Sequence, residues 1–163
     1  MIRSRAIRMA LVPVLVGAAA ACTGASPRRD WVRVAGDANY DIALDRLHVS
    51  EWQAAPVGGW DQAFEVWYRT DHMQPRVHNR ETFDREIVRA IILCDRLWFR
   101  VVSVDMSMGD GEVVARQRAS EEELDRQAWR RVERGTTEED AALAACHSGR
   151  QAANRVAEMT RRP

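Results

Sequence analysis

Apolar and polar positions alternate with a period of two along most of this chain. Trp31-Val32-Arg33-Val34 opens the alternation with bulky β-formers, the pattern of a half-buried strand. Gly36-Asp37 interrupts it, and Tyr40 to Val49 (YDIALDRLHV) resumes it as a second strand or strand pair. Residues Ser50 to Gln62 contain Pro56 and Gly58-Gly59, which predict a loop because both residue types disrupt regular pairing. Ala63 to Thr70 (AFEVWYRT) holds five strong β-formers and predicts the next strand.

A polar connection, Asp71 to Arg80, leads to the longest β-rich block. Phe83 to Cys94 (FDREIVRAIILC) alternates at first and is apolar on both faces from Ile87, which suits a central strand covered on both sides. Leu97 to Asp105 (LWFRVVSVD) follows the polar pair Asp95-Arg96. Gly109-Asp110-Gly111 predicts a hairpin turn, and Glu112 to Arg118 its returning strand. Ala119 to Gln127 (ASEEELDRQ) is charged and reads as one helical turn or a solvated loop. Trp129 to Val132 reads as a short edge segment. At Gly135-Thr136-Thr137-Glu138-Glu139 the pattern changes to a helix start, with Thr136 as cap and Glu139 three residues on. The helix runs through Ala141–Cys146 and on towards Met159, with Gly149 as its weak point. Strands followed by a C-terminal helix predict an α+β fold, a single antiparallel sheet with the helix packed on one face. No internal repeat is visible.

The first 30 residues break this pattern. Arg3, Arg5 and Arg8 precede an apolar run, Met9 to Ala21, that ends in four alanines and is too short to span a bilayer. A basic start, a short apolar stretch and a small-residue exit predict a secretory signal peptide. Cys22 follows at once, so a cut before it leaves an N-terminal thiol ready for lipid attachment. Ala19 stands where such lipidation sites favour leucine, and ordinary cleavage within Ala18–Ala25 is the competing reading. The expected organisation is a signal peptide over 1–21, a lipidated cysteine and tether over 22–30, a domain over 31–146 and a helical extension or tail over 147–163.

With 163 residues the chain has room for one ordinary domain after the signal. Its three cysteines leave an odd one in an exported protein. The simplest assignment lipidates Cys22 and pairs Cys94 with Cys146, stapling helix to sheet; two free buried thiols are the alternative. All 24 basic residues are arginines, a uniformity that argues against reading any arginine cluster as a selected patch. The first 21 residues hold three of them and none of the 24 acids, leaving the remainder at −3. That balance lacks the basic footprint of a nucleic-acid binder.

Candidate chemistry is sparse. His72 and His78 share the polar connection, but their spacing fits no zinc motif, so exposed loop histidines are expected. Asp41 and Asp45 share a strand face, where pairing with arginine or capping a turn is the expected role. Trp31, Trp67 and Trp98 fall in strands and are expected to pack on the sheet. Trp52 and Trp60 flank Gly58-Gly59 in the expected loop, where they either contact a partner or pack back over the sheet. The tail Arg150, Arg155, Arg161 and Arg162 reads as a solvated helix face, with anionic headgroups as the other possibility. No nucleophile set, P-loop, metal set or cofactor motif is present, so no enzyme, metal or cofactor is expected.

Taken in order, several of these segments resemble the bacterial surface-adhesin protein E family. They are Trp31-Val32-Arg33-Val34, Tyr40 to Leu44-Asp45, Glu65-Val66-Trp67-Tyr68, Ile92-Leu93-Cys94-Asp95, Trp98-Phe99-Arg100, Gly109-Asp110-Gly111, Trp129-Arg130-Arg131-Val132 and Gly135 to Cys146. The resemblance implies one antiparallel sheet with a C-terminal helix tied by a Cys94–Cys146 disulfide. It also implies a surface lipoprotein, which in at least one branch binds host extracellular-matrix proteins. The expectation is therefore a non-enzymatic lipoprotein, outer-membrane in location, held to the membrane through lipid on Cys22. Its expected partners are host matrix proteins or another envelope protein. A periplasm-facing accessory lipoprotein with no host ligand is the alternative, and the sequence leaves the oligomeric state open.

Overall fold

A computed structural model describes residues 28–52, 62–109 and 111–161. Eight strands form one antiparallel sheet: β1 (Trp31–Gly36), β2 (Tyr40–Asp45), β3 (Ser50–Glu51), β4 (Ala63–His78), β5 (Glu81–Leu93), β6 (Trp98–Ser107), β7 (Val113–Arg118) and β8 (Arg130–Arg131). A short helix α1 (Glu121–Arg126) precedes β8, and the long helix α2 (Thr137–Thr160) closes the chain. The sheet order is β1-β2-β4-β5-β6-β7. β3 extends the β2 side of β4, and β8 extends the β7 side of β6. The α+β architecture expected from the sequence is the one found.

Alternation decides the two faces. Even positions of β4 and β5 (Phe64, Val66, Ala90, Ile92) join Leu44, Cys94, Val132 and the helix residues Ala142, Ala145 and Cys146 in the main core. Phe64, Leu44, Ile92, Leu93 and Val66 are the largest fully buried side chains. Each contributes about 1.5–3 kcal/mol relative to exposure. Odd positions point to the opposite face, where Ala63, Ile91, Leu93 and Val102 form a smaller cluster.

Small residues fix how α2 sits. Ala141, Ala145 and Gly149 repeat every four residues beside Ala142 and Cys146, and all five are buried. This stripe lets the helix approach so closely that a Cβ at Gly149 would stand 2.5 Å from Phe64 Cγ. Tyr68 donates its hydroxyl to the carbonyl of Ala141 at 2.9 Å. Burial there pushes its phenol pKa far above the ordinary value. Cys94 and Cys146 are joined in a disulfide, with Cα atoms 5.6 Å apart. At the helix start Thr136 Oγ1 accepts from the Glu139 amide at 3.3 Å. Glu139 in turn accepts from the amide of Gly135 rather than from that of Thr136, so the expected capping box is shifted by one residue. The helix continues unbroken through Gly149, which is a point of contact rather than of weakness.

Two expected loops differ. Ser50 and Glu51 pair with Glu65 and Phe64 as β3; the remainder of that expected loop, 53–61, lies outside the described residues. The polar connection Asp71–Arg80 is mostly strand. β4 runs on to His78 and turns tightly at Asn79-Arg80, both at positive φ (50° and 74°). This is the backbone of a two-residue hairpin turn whose twist matches the strands. A register shift between Asp71 and Arg76 accommodates Pro75, which has no amide to donate. Charge pairs supply what apolar alternation lacks here: Asp71 accepts from Arg69 at 2.8 Å and from Arg85 at 2.5 Å. His72 is consequently no exposed loop histidine. Its side chain is 5 % exposed, bonded to Glu86 at 3.1 Å and edge-on to Tyr40 and Phe83.

Removing the staple through Cys94→Ala or Cys146→Ala should cost about 2–5 kcal/mol and lower the melting temperature by several degrees or more, measurable by calorimetry. Gly149→Ala should run against helix propensity. The substitution ordinarily stabilises a helix interior by about 1 kcal/mol. Here the new methyl meets Phe64, and a net loss of about 1–3 kcal/mol in urea unfolding is expected.

Candidate functional site

The face of the sheet away from α2 is divided in two. Near the β5–β6 turn, Trp52, Trp98, Leu124 and Trp129 pack on Ala63, Ile91, Leu93 and Val102. Trp52 also donates its backbone amide to Ala63 at 2.8 Å. The structure thus places Trp52 half-buried against the sheet, while Trp60 lies outside the described residues. Arg100 stacks 4.3 Å from the Trp129 ring. All three strand tryptophans, Trp31, Trp67 and Trp98, are half-buried on strands as expected.

The other half of this face is a lattice of arginine, tryptophan and carboxylate. Arg29 lies 4.2 Å over Trp67 and 5.4 Å from Trp31. Arg69 approaches Trp31 at 5.5 Å, and Arg89 approaches Trp67 at 5.8 Å. Arg89 holds Glu65 in a two-pronged pair at 2.8 and 2.7 Å, which raises its pKa above the ordinary arginine value. Each cation thus sits on an aromatic face or against an acid, an arrangement that orders the surface more than it stabilises it.

Asp45 is the fixed point of this lattice. Between β2 and β3 the pairing along β4 is interrupted, and Asp45 fills the interruption, fully buried. Its carboxylate accepts from the amides of Asp30 and Leu47, both at 3.1 Å. It also meets His48 Nδ1 at 2.6 Å and Arg29 at 3.4 Å. The segment entering β1 is thereby pinned to the sheet. Asp41 pairs with Arg33 (Nε to Oδ1, 2.9 Å). Both aspartates fill the roles expected of them, pairing with arginine and, for Asp45, holding a turn.

A second interruption lies on the opposite side, between β7 and β8 along β6. The chain leaves at Ala119 and returns at Arg130 through α1, whose Ser120–Glu123 capping box is complete. An open cleft of about 630 Å³ remains, floored by Val101, Val102 and Val104 and rimmed by Arg118, Arg126 and Arg130.

The most prominent surface feature is the hairpin arm at the far end of β4 and β5. Met73 donates its amide to Asn39 at 2.8 Å, fixing the base of the arm. The β6–β7 turn is tied to it through Asp84, which accepts from Gly109, and Arg85, which donates to the Gly109 carbonyl. At the tip, His78 Nε2 lies 2.7 Å from the Gln117 side-chain amide, so the arm bends towards β7. Met73 and Val77 are 55 % and 70 % exposed, and Met108 and Val113 add to the apolar surface at this end. None of the four was legible as a contact residue. Met73 and Val77 fell in the expected polar connection Asp71–Arg80, which the structure shows as strand.

No group of three or more His, Cys, Asp or Glu side chains converges as a metal site among the described residues. A single sheet with one covering helix and a hairpin arm bent back onto β7 is the architecture that results. The family model for surface-adhesin protein E matches residues 31–147, more than two thirds of the chain, and the protein belongs to that family. No curated protein and no solved structure matches it.

Asp45→Ala should leave two amides, His48 and Arg29 facing a buried void, at a cost of about 3 kcal/mol or more. Arg29→Ala, which removes one partly exposed partner, should cost about 1 kcal/mol or less. Urea unfolding of the two variants checks the order; equal losses would contradict the central role of Asp45.

Proposed function

We propose that this adhesin-like surface protein is a non-enzymatic binding module, held to the envelope by lipid on Cys22. It engages a protein partner through the hairpin arm. Host extracellular-matrix proteins are the partner class that fits the family. The observation that carries the reading is the position of exposed apolar residues. Met73, Val77, Met108 and Val113 gather at one end of the sheet, whereas Arg29 pins the entering chain near the other. They are four of the eight large apolar side chains exposed among the described residues, and exposed apolar surface at one end of a domain suits contact with a partner. An anchor at one end leaves the end of the sheet that carries the arm facing outwards. Among the described residues no helix is long and apolar enough to cross a membrane.

Two measurements test this. Cys22→Ser should shift the protein from the membrane to the soluble fraction or block its maturation, since acyl chains supply the holding energy at about 0.8 kcal/mol per buried CH₂. Met73→Ser with Val77→Ser should leave the melting temperature nearly unchanged while reducing capture of matrix proteins by the mature domain about tenfold or more. Unaltered capture would remove the arm from the interface. Protease treatment of intact cells should release the domain; a protected domain would favour the periplasm-facing accessory role.

A further inference from the structure

The last three turns of α2 are not accounted for by the fold. Burial along the helix stops at Gly149, and Gln151–Thr160 continue as regular helix with only Ala152 and Ala153 half-buried. The overhang is about 15 Å long at 1.5 Å per residue. No basic residue lies in its last turn, and Arg161 closes it in ordinary right-handed conformation without a glycine cap. The end of a helix that lacks packing and a glycine cap opens more readily than its docked part. Its pattern is nevertheless amphipathic. Ala152, Val156 and Met159 share one face at spacings of four and three, with Val156 57 % and Met159 67 % exposed. Arg155 and Arg161 accompany a single acid, Glu158, and Arg162 follows.

The direction of the overhang gives it meaning. α2 starts beside Tyr40, whose hydroxyl donates to Glu138 at 2.7 Å, and descends past Tyr68 to Phe64. At the foot of the sheet Arg150 meets Gln62 and Asp95, both at 3.4 Å. The helix therefore leaves the sheet at the end where β4 begins and β5 stops. Residues 28–30 enter β1 from that same end, since Trp31 pairs with Asp45 and Asp30 binds it. Cys22 stands seven residues before Arg29, and seven residues span at most about 25 Å. Leu47, 57 % exposed in the turn after β2, lies at this end too.

We propose that the overhang of α2 is a second membrane contact, lying on the anionic surface of the bilayer that carries the Cys22 anchor. Val156 and Met159 enter the headgroup boundary while the arginines meet lipid phosphates, the arrangement of interfacial amphipathic helices. The inference rests on the lipid-anchor reading for its geometry. With two points of attachment the domain is held in one orientation, arm outwards, instead of swivelling about its tether.

The test uses the mature chain coupled through Cys22, the one cysteine outside the disulfide, to a maleimide-bearing phospholipid in vesicles. Amide exchange over Gln151–Arg161 should slow about tenfold on vesicles rich in phosphatidylglycerol, with little change on pure phosphatidylcholine and none in the strands. Val156→Asp with Met159→Asp, and separately Arg155→Gln with Arg161→Gln, should abolish that protection while leaving the melting temperature unchanged. Exchange as fast on anionic vesicles as in solution overturns the proposal. So does protection that appears without vesicles and grows with protein concentration, which would assign the face to a second copy. An unmodified Cys22 in the intact mass of protein taken from cells would overturn the anchor alone; the vesicle comparison decides the helix.

Discussion

Between Ala141 and Gly149 the helix lies so close to β4 that Tyr68 reaches a helix carbonyl and Phe64 occupies the space where a side chain at 149 would stand. Most of the main core depends on that approach. A sheet with one covering helix has little depth, and the helix offers mainly alanines, so apolar burial comes from large sheet residues pressed against a small-residue surface. The Cys94–Cys146 bond then holds a contact that alanine burial secures only weakly.

The sheet solves the same problem twice in different ways. Along β4 and again along β6, two strands lie end to end with a break between them. The first break is filled by Asp45, which gathers two amides, a histidine and an arginine. The second holds α1 and an open cleft. One break is therefore a rigid joint that fixes the entering chain, and the other is a solvent-accessible notch.

Most strands were legible because alternation of side chains is a local property. Glu65-Val66-Trp67-Tyr68 can hardly be read otherwise. The upper part of β4 was hidden because its order comes from partners far along the chain: Arg85 on Asp71, Glu86 on His72. Polar residues around Pro75 look like a loop until those partners are in place. Gly149 misled for a related reason, since helix propensity is local and the space taken by Phe64 is not. Likewise, the arm and the overhang became visible only when exposure separated Met73, Val77, Val156 and Met159 from core residues of the same type.

The chain order of these parts also sets an order in time. Every strand of the sheet precedes α2, and Cys146 comes 52 residues after its partner. A chain emerging from its N-terminus can pair β1 through β7 while the helix is still missing, with Phe64, Val66 and Ile92 bare on one face. During that interval the nascent sheet presents a greasy plane and a reactive Cys94 thiol, the conditions under which half-made proteins stick to one another or form wrong cross-links. The arrival of the helix ends both hazards together, so the exposed interval spans the 52 residues between the two cysteines.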